Sequence, residues 1–149
     1  MLRSEAAIRE AHVGDAPGVA TLLAQLGYPD DRQAVASRLA AASTSGSDIV
    51  FVAVDGVVPL GLSAVHIIPL FHRSSSVARV TAFVVSENVR RTGIGSALVR
   101  ACERFAYSRG AERLEVTSGD SRSDAHSFYL ALGFQREGTR FSKYLNGTG

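Results

Sequence analysis

The sequence predicts a mixed α/β fold with the element order β-α-α-β-β-β-α-β-α-β-β, over residues 1–149 as a single domain. Three observations predict it. Two β-branched runs, residues 49–54 and 57–68, flank Asp55-Gly56, a dipeptide that favours a tight hairpin turn, so the front half contains an antiparallel pair. After the apolar run 77–85, a polar turn leads to Ile94, Ala97, Leu98, Ala101, Cys102 and Phe105, spaced as one face of a helix. A short strand, residues 114–117, follows that helix, and a strand–helix–strand crossover joins parallel neighbours.

The remaining elements follow in chain order. Ile8-Arg9-Glu10-Ala11 alternates and reads as the first strand. Asp15, Ala16 and Pro17 open a helix, with Asp as cap and Pro early in the first turn. Val19, Leu22, Leu23 and Leu26 share a face of it, and Gly27 ends it. Asp30 and Asp31 open a second helix with Val35 and Leu39 on one face, and residues 43–47 form a loop of small polar residues. Gly61 marks a candidate bulge in the return strand, and residues 69–76 are a polar connection. The run 77–85 is nearly continuous in apolar residues, as a central strand is. Gly110 caps the long helix, residues 124–132 form a short one ending at Gly133, and residues 134–137 and 141–145 read as a closing pair of strands.

Composition narrows the function. Hydrophobic residues are 46% and charged residues 20%, which excludes a disordered polar chain. The one cysteine, Cys102, excludes an internal disulfide and a cysteine-based zinc site, and no metal is expected. No apolar run approaches the roughly 20 residues that span a bilayer. Arg3, Glu5, Arg9 and Glu10 leave no apolar core in the first ten residues, so a secretory leader is not expected and a cytoplasmic location is. Residues 1–72 hold four Arg and seven Asp/Glu, a balance of −3. Residues 73–149 hold eleven Arg, one Lys and seven Asp/Glu, a balance of +5. The second half is where an anionic ligand finds a favourable field. A net charge of +2 without a basic tract gives no reason to expect nucleic acid or a membrane as partner.

The informative segment is Val84-Val85-Ser86-Glu87-Asn88-Val89-Arg90-Arg91-Thr92-Gly93-Ile94-Gly95-Ser96. A buried strand ends, a basic turn follows, and two glycines open a helix. The first amides of a helix lack intrahelical partners and sit at the positive end of its dipole. Glycine lets an anion approach that backbone closely. Glycines at a helix start also serve packing alone, and that reading stays open. A dinucleotide-binding turn needs a third glycine where Leu98 stands. A triphosphate loop needs Gly-Lys-Ser/Thr, and the only lysine is Lys143.

The pattern Arg90-x-x-Gly93-x-Gly95 after a strand ending at Val85 resembles motif A of the GNAT acetyltransferase superfamily. The likeness extends over nearly the whole chain. Ile8–Ala11 with Asp15-Ala16 resembles the family's opening strand and helix. Ala125-His126-Ser127-Phe128-Tyr129 and Leu132-Gly133-Phe134 resemble its late helix and turn.

The resemblance implies an N-acetyltransferase that moves an acetyl group from acetyl-CoA to a primary amine by direct attack. It implies that the amides of Arg91, Thr92, Gly93, Ile94, Gly95 and Ser96, with Arg90 beside them, bind the diphosphate. It implies that Phe83, Val84 and Val85 pair with the pantetheine arm, as exposed strand-edge amides do with an extended ligand. Tyr129 matches the tyrosine that protonates the departing thiolate, and an unperturbed phenol, with a pKa of about 10, is protonated at neutral pH. Phe128-Tyr129 also reads as an aromatic pair packing a short helix. Two positions depart from the pattern. Arg122 stands where the family has an Asn that binds the cofactor arm, and Thr81-Ala82-Phe83 lacks the family's strand carboxylate. His66 is a candidate base, since imidazole titrates near neutrality; a lone strand histidine is more often structural. His12 and His72 read as solvated, and His126 lies one helical turn from Tyr129. Glu87 is expected to face solvent and Cys102 to sit in the core.

The acceptor pocket is expected from residues 25–45 and 69–76. Asp30, Asp31 and Asp48 are candidates to attract a cationic amine, and Asp30 and Asp31 serve equally as caps. The acceptor is a small molecule or a peptide amine. The alternative is a non-catalytic acyl-CoA sensor or partner module of the same fold. The family's habit of pairing through sheet edges makes a homodimer an expectation through residues 134–145.

Overall fold

The computed structural model describes residues 6–90, 92–117 and 123–146. The chain divides into two compact units, Met1–Thr117 and Ser118–Gly149. The first holds strands β1 (Ala7–Glu10), β2 (Asp48–Asp55), β3 (Val58–Pro69), β4 (Ser76–Val85) and β5 (Leu114–Val116), and helices α1 (Ala16–Leu26), α2 (Arg32–Thr44) and α3 (Ile94–Ser108). The strands form one sheet in chain order. Pairs β1–β2, β2–β3 and β3–β4 are antiparallel, and β4–β5 is parallel, as the α3 crossover requires.

Strand alternation sorts the sheet's side chains onto two faces. One face sends Val52, Val54, Leu62 and Val84 against Val19 and Leu22 of α1 and Val35 and Leu39 of α2. On the other face, Leu98 and Cys102 of α3 are fully buried, with Ala53, Val65 and Ala78 beneath the helix. Gly61 is what lets α3 lie this close. A Cβ there would stand 2.9 Å from Leu98 Cδ1 and 3.1 Å from Ile94 Cγ2. The bulge expected at Gly61 falls on its neighbour: Ala53 pairs with Gly61 and Val54 with Pro59, so Leu60 is the extra residue.

Asp31 caps α2 as expected, accepting the Ala34 amide at 2.7 Å. Asp15 does not cap α1. Its buried carboxylate takes both nitrogens of the Arg9 guanidinium, at 2.8 and 2.9 Å, and the His12 amide at 2.9 Å. The Arg9 hydrogen bond, aided by that of the His12 amide, holds the Asp15 carboxyl below the usual carboxylate range although burial opposes it. Replacing Asp15 by alanine strands Arg9 and frees the His12 amide, and is expected to cost about 2–4 kcal/mol at neutral pH. The folded carboxyl titrates below the unfolded one (about 3.9), so its contribution is full above about pH 4 and is lost as pH falls through the lowered value. Urea melts of wild type and Asp15→Ala are therefore expected to differ at pH 7 and to draw together as the pH falls below about 4.

The second unit holds α4 (Ser123–Ala131). The helix ends in a turn in which Gly133 has φ 94°, its amide bonds Leu130 O, and the Phe134 amide reaches back to Tyr129 O at 3.1 Å. The mixed α/β class holds, but the two closing strands are not formed: residues 134–144 have no strand. Phe134 is taken by the helix end, its ring 5.5 Å from that of Tyr129. On an extended chain Phe141 and Leu145 share a side with Lys143 between them, while Tyr144 falls on the other side with Ser142, so neither side of residues 141–145 is continuously apolar. Phe141 and Leu145 are accordingly more than 90% exposed.

No helix among the described residues is long and apolar enough to cross a membrane.

Candidate active site

The site begins where β4 and β5 part. Their ladder runs from Ala78↔Leu114 to Val80↔Val116 and stops, while β4 continues to Val85. Thr81 is the first β4 residue past that ladder and is itself a bulge: Ala64 pairs with Ala82 and Val65 with Val80, leaving Thr81 over. The bulge reverses which main-chain groups face which neighbour. Before it, the Ala78 amide bonds Arg113 O on the β5 side. After it, the Ser86 amide bonds Leu60 O on the β3 side. Counting back by twos, Val84 and Ala82 face β3, and the main-chain groups of Phe83 and Val85 face away from it, along the edge past β5.

Past Val85 the chain makes a short 3-10 turn, Glu87–Val89. The Glu87 amide is held by Gln25 Oε1 of α1 at 3.0 Å, which ties the end of α1 to this turn. Arg90 Nε donates to Val85 O at 3.3 Å, and Thr92 Oγ1 donates to Val89 O at 2.5 Å. Gly93 then adopts φ 89°, a left-handed conformation that favours glycine, with open space where a Cβ would stand. Among the described residues no side chain caps α3 at this end. The first intrahelical bond is Ala97 N–H to Gly93 O, so the Ile94, Gly95 and Ser96 amides precede it. A strand edge, a turn without a side-chain cap and an arginine beside it fit an extended ligand bearing a diphosphate.

His66 stands on β3, opposite Asp48 of β2 and Arg79 of β4. It shares a face with Ala64, two residues away, or about 7 Å along the strand. Thr81 Oγ1 donates to Ala64 O at 3.4 Å. His66 therefore lies near the point where β4 and β5 separate, on the sheet face opposite α3. Asp30 is ion-paired with Arg38 at 3.0 Å, so it and the cap Asp31 are both engaged.

Cys102 is fully buried, its thiol donating to Ser63 Oγ at 3.3 Å, and burial pushes that thiol up, away from the reactive thiolate. Glu87 is exposed as expected. Tyr129 belongs to α4 in the second unit, half-buried between Phe128 and Phe134, with ring centroids 5.3 and 5.5 Å away. His126 Nδ1 lies 3.4 Å from Arg136 Nη2. Arg91 and Arg122 lie outside the described residues. Among the described residues no group of three His, Cys, Asp or Glu is placed to hold a metal ion.

The sequence model described as the Acetyltransferase (GNAT) family matches residues 17–134. The chain belongs to the GNAT family of acetyltransferases. Over 86 residues it is 33% identical to the aminoalkylphosphonate N-acetyltransferase of Salmonella typhimurium, an alignment covering 58% of this chain and 56% of that enzyme. The chain thus spans little more than half the length of the relative it matches. Among solved structures, a GNAT family acetyltransferase of Staphylococcus aureus superposes with a TM-score of 0.81 at 19% identity, covering 95% of this chain and 100% of that one. AAC(6')-Iy, in complex with the bisubstrate analogue CoA-S-monomethyl-acetylneamine, superposes with a TM-score of 0.83 at 21% identity, covering 95% and 99%. At these identities the likeness establishes the GNAT fold, mixed sheet and helices alike.

Proposed function

We propose that this chain is an acetyl-CoA-dependent N-acetyltransferase acting on a small primary amine, with residues 1–149 working as a single domain. The observation that carries the reading is the segment from Thr81 to Ser96: a strand edge beyond the last β5 pair, a left-handed Gly93, and an α3 start without a side-chain cap. Phe83, Val84 and Val85 would meet the pantetheine arm, with the main-chain groups of Phe83 and Val85 facing it. Arg90, Arg91, Thr92, Gly93, Ile94, Gly95 and Ser96 would hold the diphosphate, with Arg122 as a further contact.

The amine nitrogen attacks the thioester carbonyl carbon. The N–C bond forms, the C–S bond breaks, His66 accepts the proton lost from nitrogen, and Tyr129 protonates the departing thiolate. Both protons are then exchanged with solvent, so the net products are the amide and free CoA. The match to an aminoalkylphosphonate N-acetyltransferase and the bisubstrate analogue held by AAC(6')-Iy both support a small amine over a protein.

The test is amine-dependent release of thiol from acetyl-CoA across a panel of aminoalkylphosphonates, aminoglycosides, amino acids and peptides. Turnover with a small amine above the no-amine rate is expected. Acetyl-CoA binding without turnover on any amine would favour the non-catalytic acyl-CoA-binding module, which the absence of a carboxylate at Thr81-Ala82-Phe83 keeps in view.

A further inference from the structure

His66 does not stand alone. Its Nδ1 lies 2.5 Å from Asp48 Oδ1, across the β2–β3 pair. Asp48 is held in turn: Ser45 Oγ donates to its other oxygen at 2.9 Å, and the Ser47 amide donates to Ser45 Oγ at 3.2 Å. An ionised carboxylate only accepts hydrogen bonds, so Nδ1 of a neutral His66 must carry the ring proton. The lone pair then sits on Nε2, the nitrogen turned away from Asp48.

We propose that Asp48 is a positioning residue for His66: it fixes the imidazole as the Nδ1–H tautomer, presents Nε2 as the proton acceptor, and stabilises the imidazolium formed when the amine is deprotonated. The proposal rests on the reading of His66 as the base. Asp48 does not touch the reacting atoms and acts through the ring. On attack, the amine N–H bond breaks, its electron pair stays on nitrogen, and the proton goes to Nε2. The Nδ1–H stays on the ring, so Asp48 remains ionised throughout.

Among the described residues, the register partners of His66 are Asp48 and Arg79. Arg79 faces His66 from β4, and its guanidinium is engaged by Glu115 of β5 at 2.8 Å. Glu115 also accepts from Arg113 at 2.9 Å. Asp48 is therefore the carboxylate directly on His66. A purely structural cross-strand pair would fix the same tautomer but leave turnover unmoved, so the rates below separate the two roles.

The experiment uses the full chain, wild type and the variants Asp48→Asn, Asp48→Glu and His66→Ala. The ring is read first by two-bond 1H–15N correlation, which needs no acceptor. When its ring is neutral, the wild type is expected to show protonated Nδ1 and bare Nε2, and Asp48→Asn is expected to gain the other tautomer. A wild type with protonated Nε2 overturns the proposal whatever the amine.

Kinetics follow with acetyl-CoA and 2-aminoethylphosphonate, or the best amine of the panel above. Asp48→Asn is expected to lower kcat about 10–100-fold with the KM for acetyl-CoA unchanged. Asp48→Glu is expected to restore most of the rate. An Asp48→Asn enzyme with wild-type kcat overturns the proposal while leaving His66 as base. Full activity of His66→Ala removes the base itself and the proposal with it.

Discussion

Replacing Gly93 by valine is expected to lower acetyl-CoA affinity by about 100-fold or more while the fold survives. Gly93 sits at φ 89°, where a β-branched residue is strained by about 1–3 kcal/mol. Apart from its chain neighbours, nothing among the described residues lies within 4 Å of the position its Cβ would take, so the new side chain enters the space beside the α3 amides where the diphosphate is proposed to bind. The strain is expected to lower the melting temperature by only several degrees in a chain of this size. Titration calorimetry reads the affinity, and circular dichroism reads the fold. Unchanged affinity in a folded Gly93→Val protein would remove the turn from the cofactor site.

The second large effect is expected from Tyr129→Phe. The change removes one hydroxyl and keeps the ring that packs against Phe128 and Phe134. If the hydroxyl delivers the proton to the departing thiolate, kcat falls about 100-fold or more, within the range of a single general acid. Affinity for acetyl-CoA is expected to change less than about twofold, because the binding groups proposed on β4 and α3 are untouched. Steady-state rates with the best amine, together with calorimetry, separate the two effects. Equal turnover in the variant would reduce Phe128-Tyr129 to an aromatic pair packing α4.

The elements that sequence reading found best are those whose signal is local. The apolar stripe of α3, the Asp55-Gly56 turn and the Asp31 cap each depend on residues within one or two turns of each other. The turn from β4 into α3 was legible for the same reason, since β4, Arg90, Gly93 and Gly95 lie close together in the sequence. What escaped depends on register. Counting back from the Asp55↔Val58 pair places Asp48 opposite Val65; only the extra residue at Leu60 moves it onto His66. The bulge at Thr81 is equally silent in the sequence, yet it decides that Phe83 and Val85, not Val84, face the open edge.

Asp15 misled because an Asp before Ala-Pro is a good cap, while its true partner, Arg9, lies on a strand six residues earlier. The closing strands misled because aromatic residues near Gly138 look like a hairpin. Phe134 had a competing use at the end of α4, and Phe141 and Tyr144 do not alternate.

The central claim is that the turn from β4 into α3 binds an acyl-CoA. Its most direct test is calorimetric titration of the purified chain with acetyl-CoA and then with free CoA. Micromolar binding of both is expected, since the diphosphate and the pantetheine arm are common to the two. No heat and no saturation with either ligand at millimolar concentration would mean that Gly93 and Gly95 serve the packing of α3 alone, and the transferase reading would fall with them.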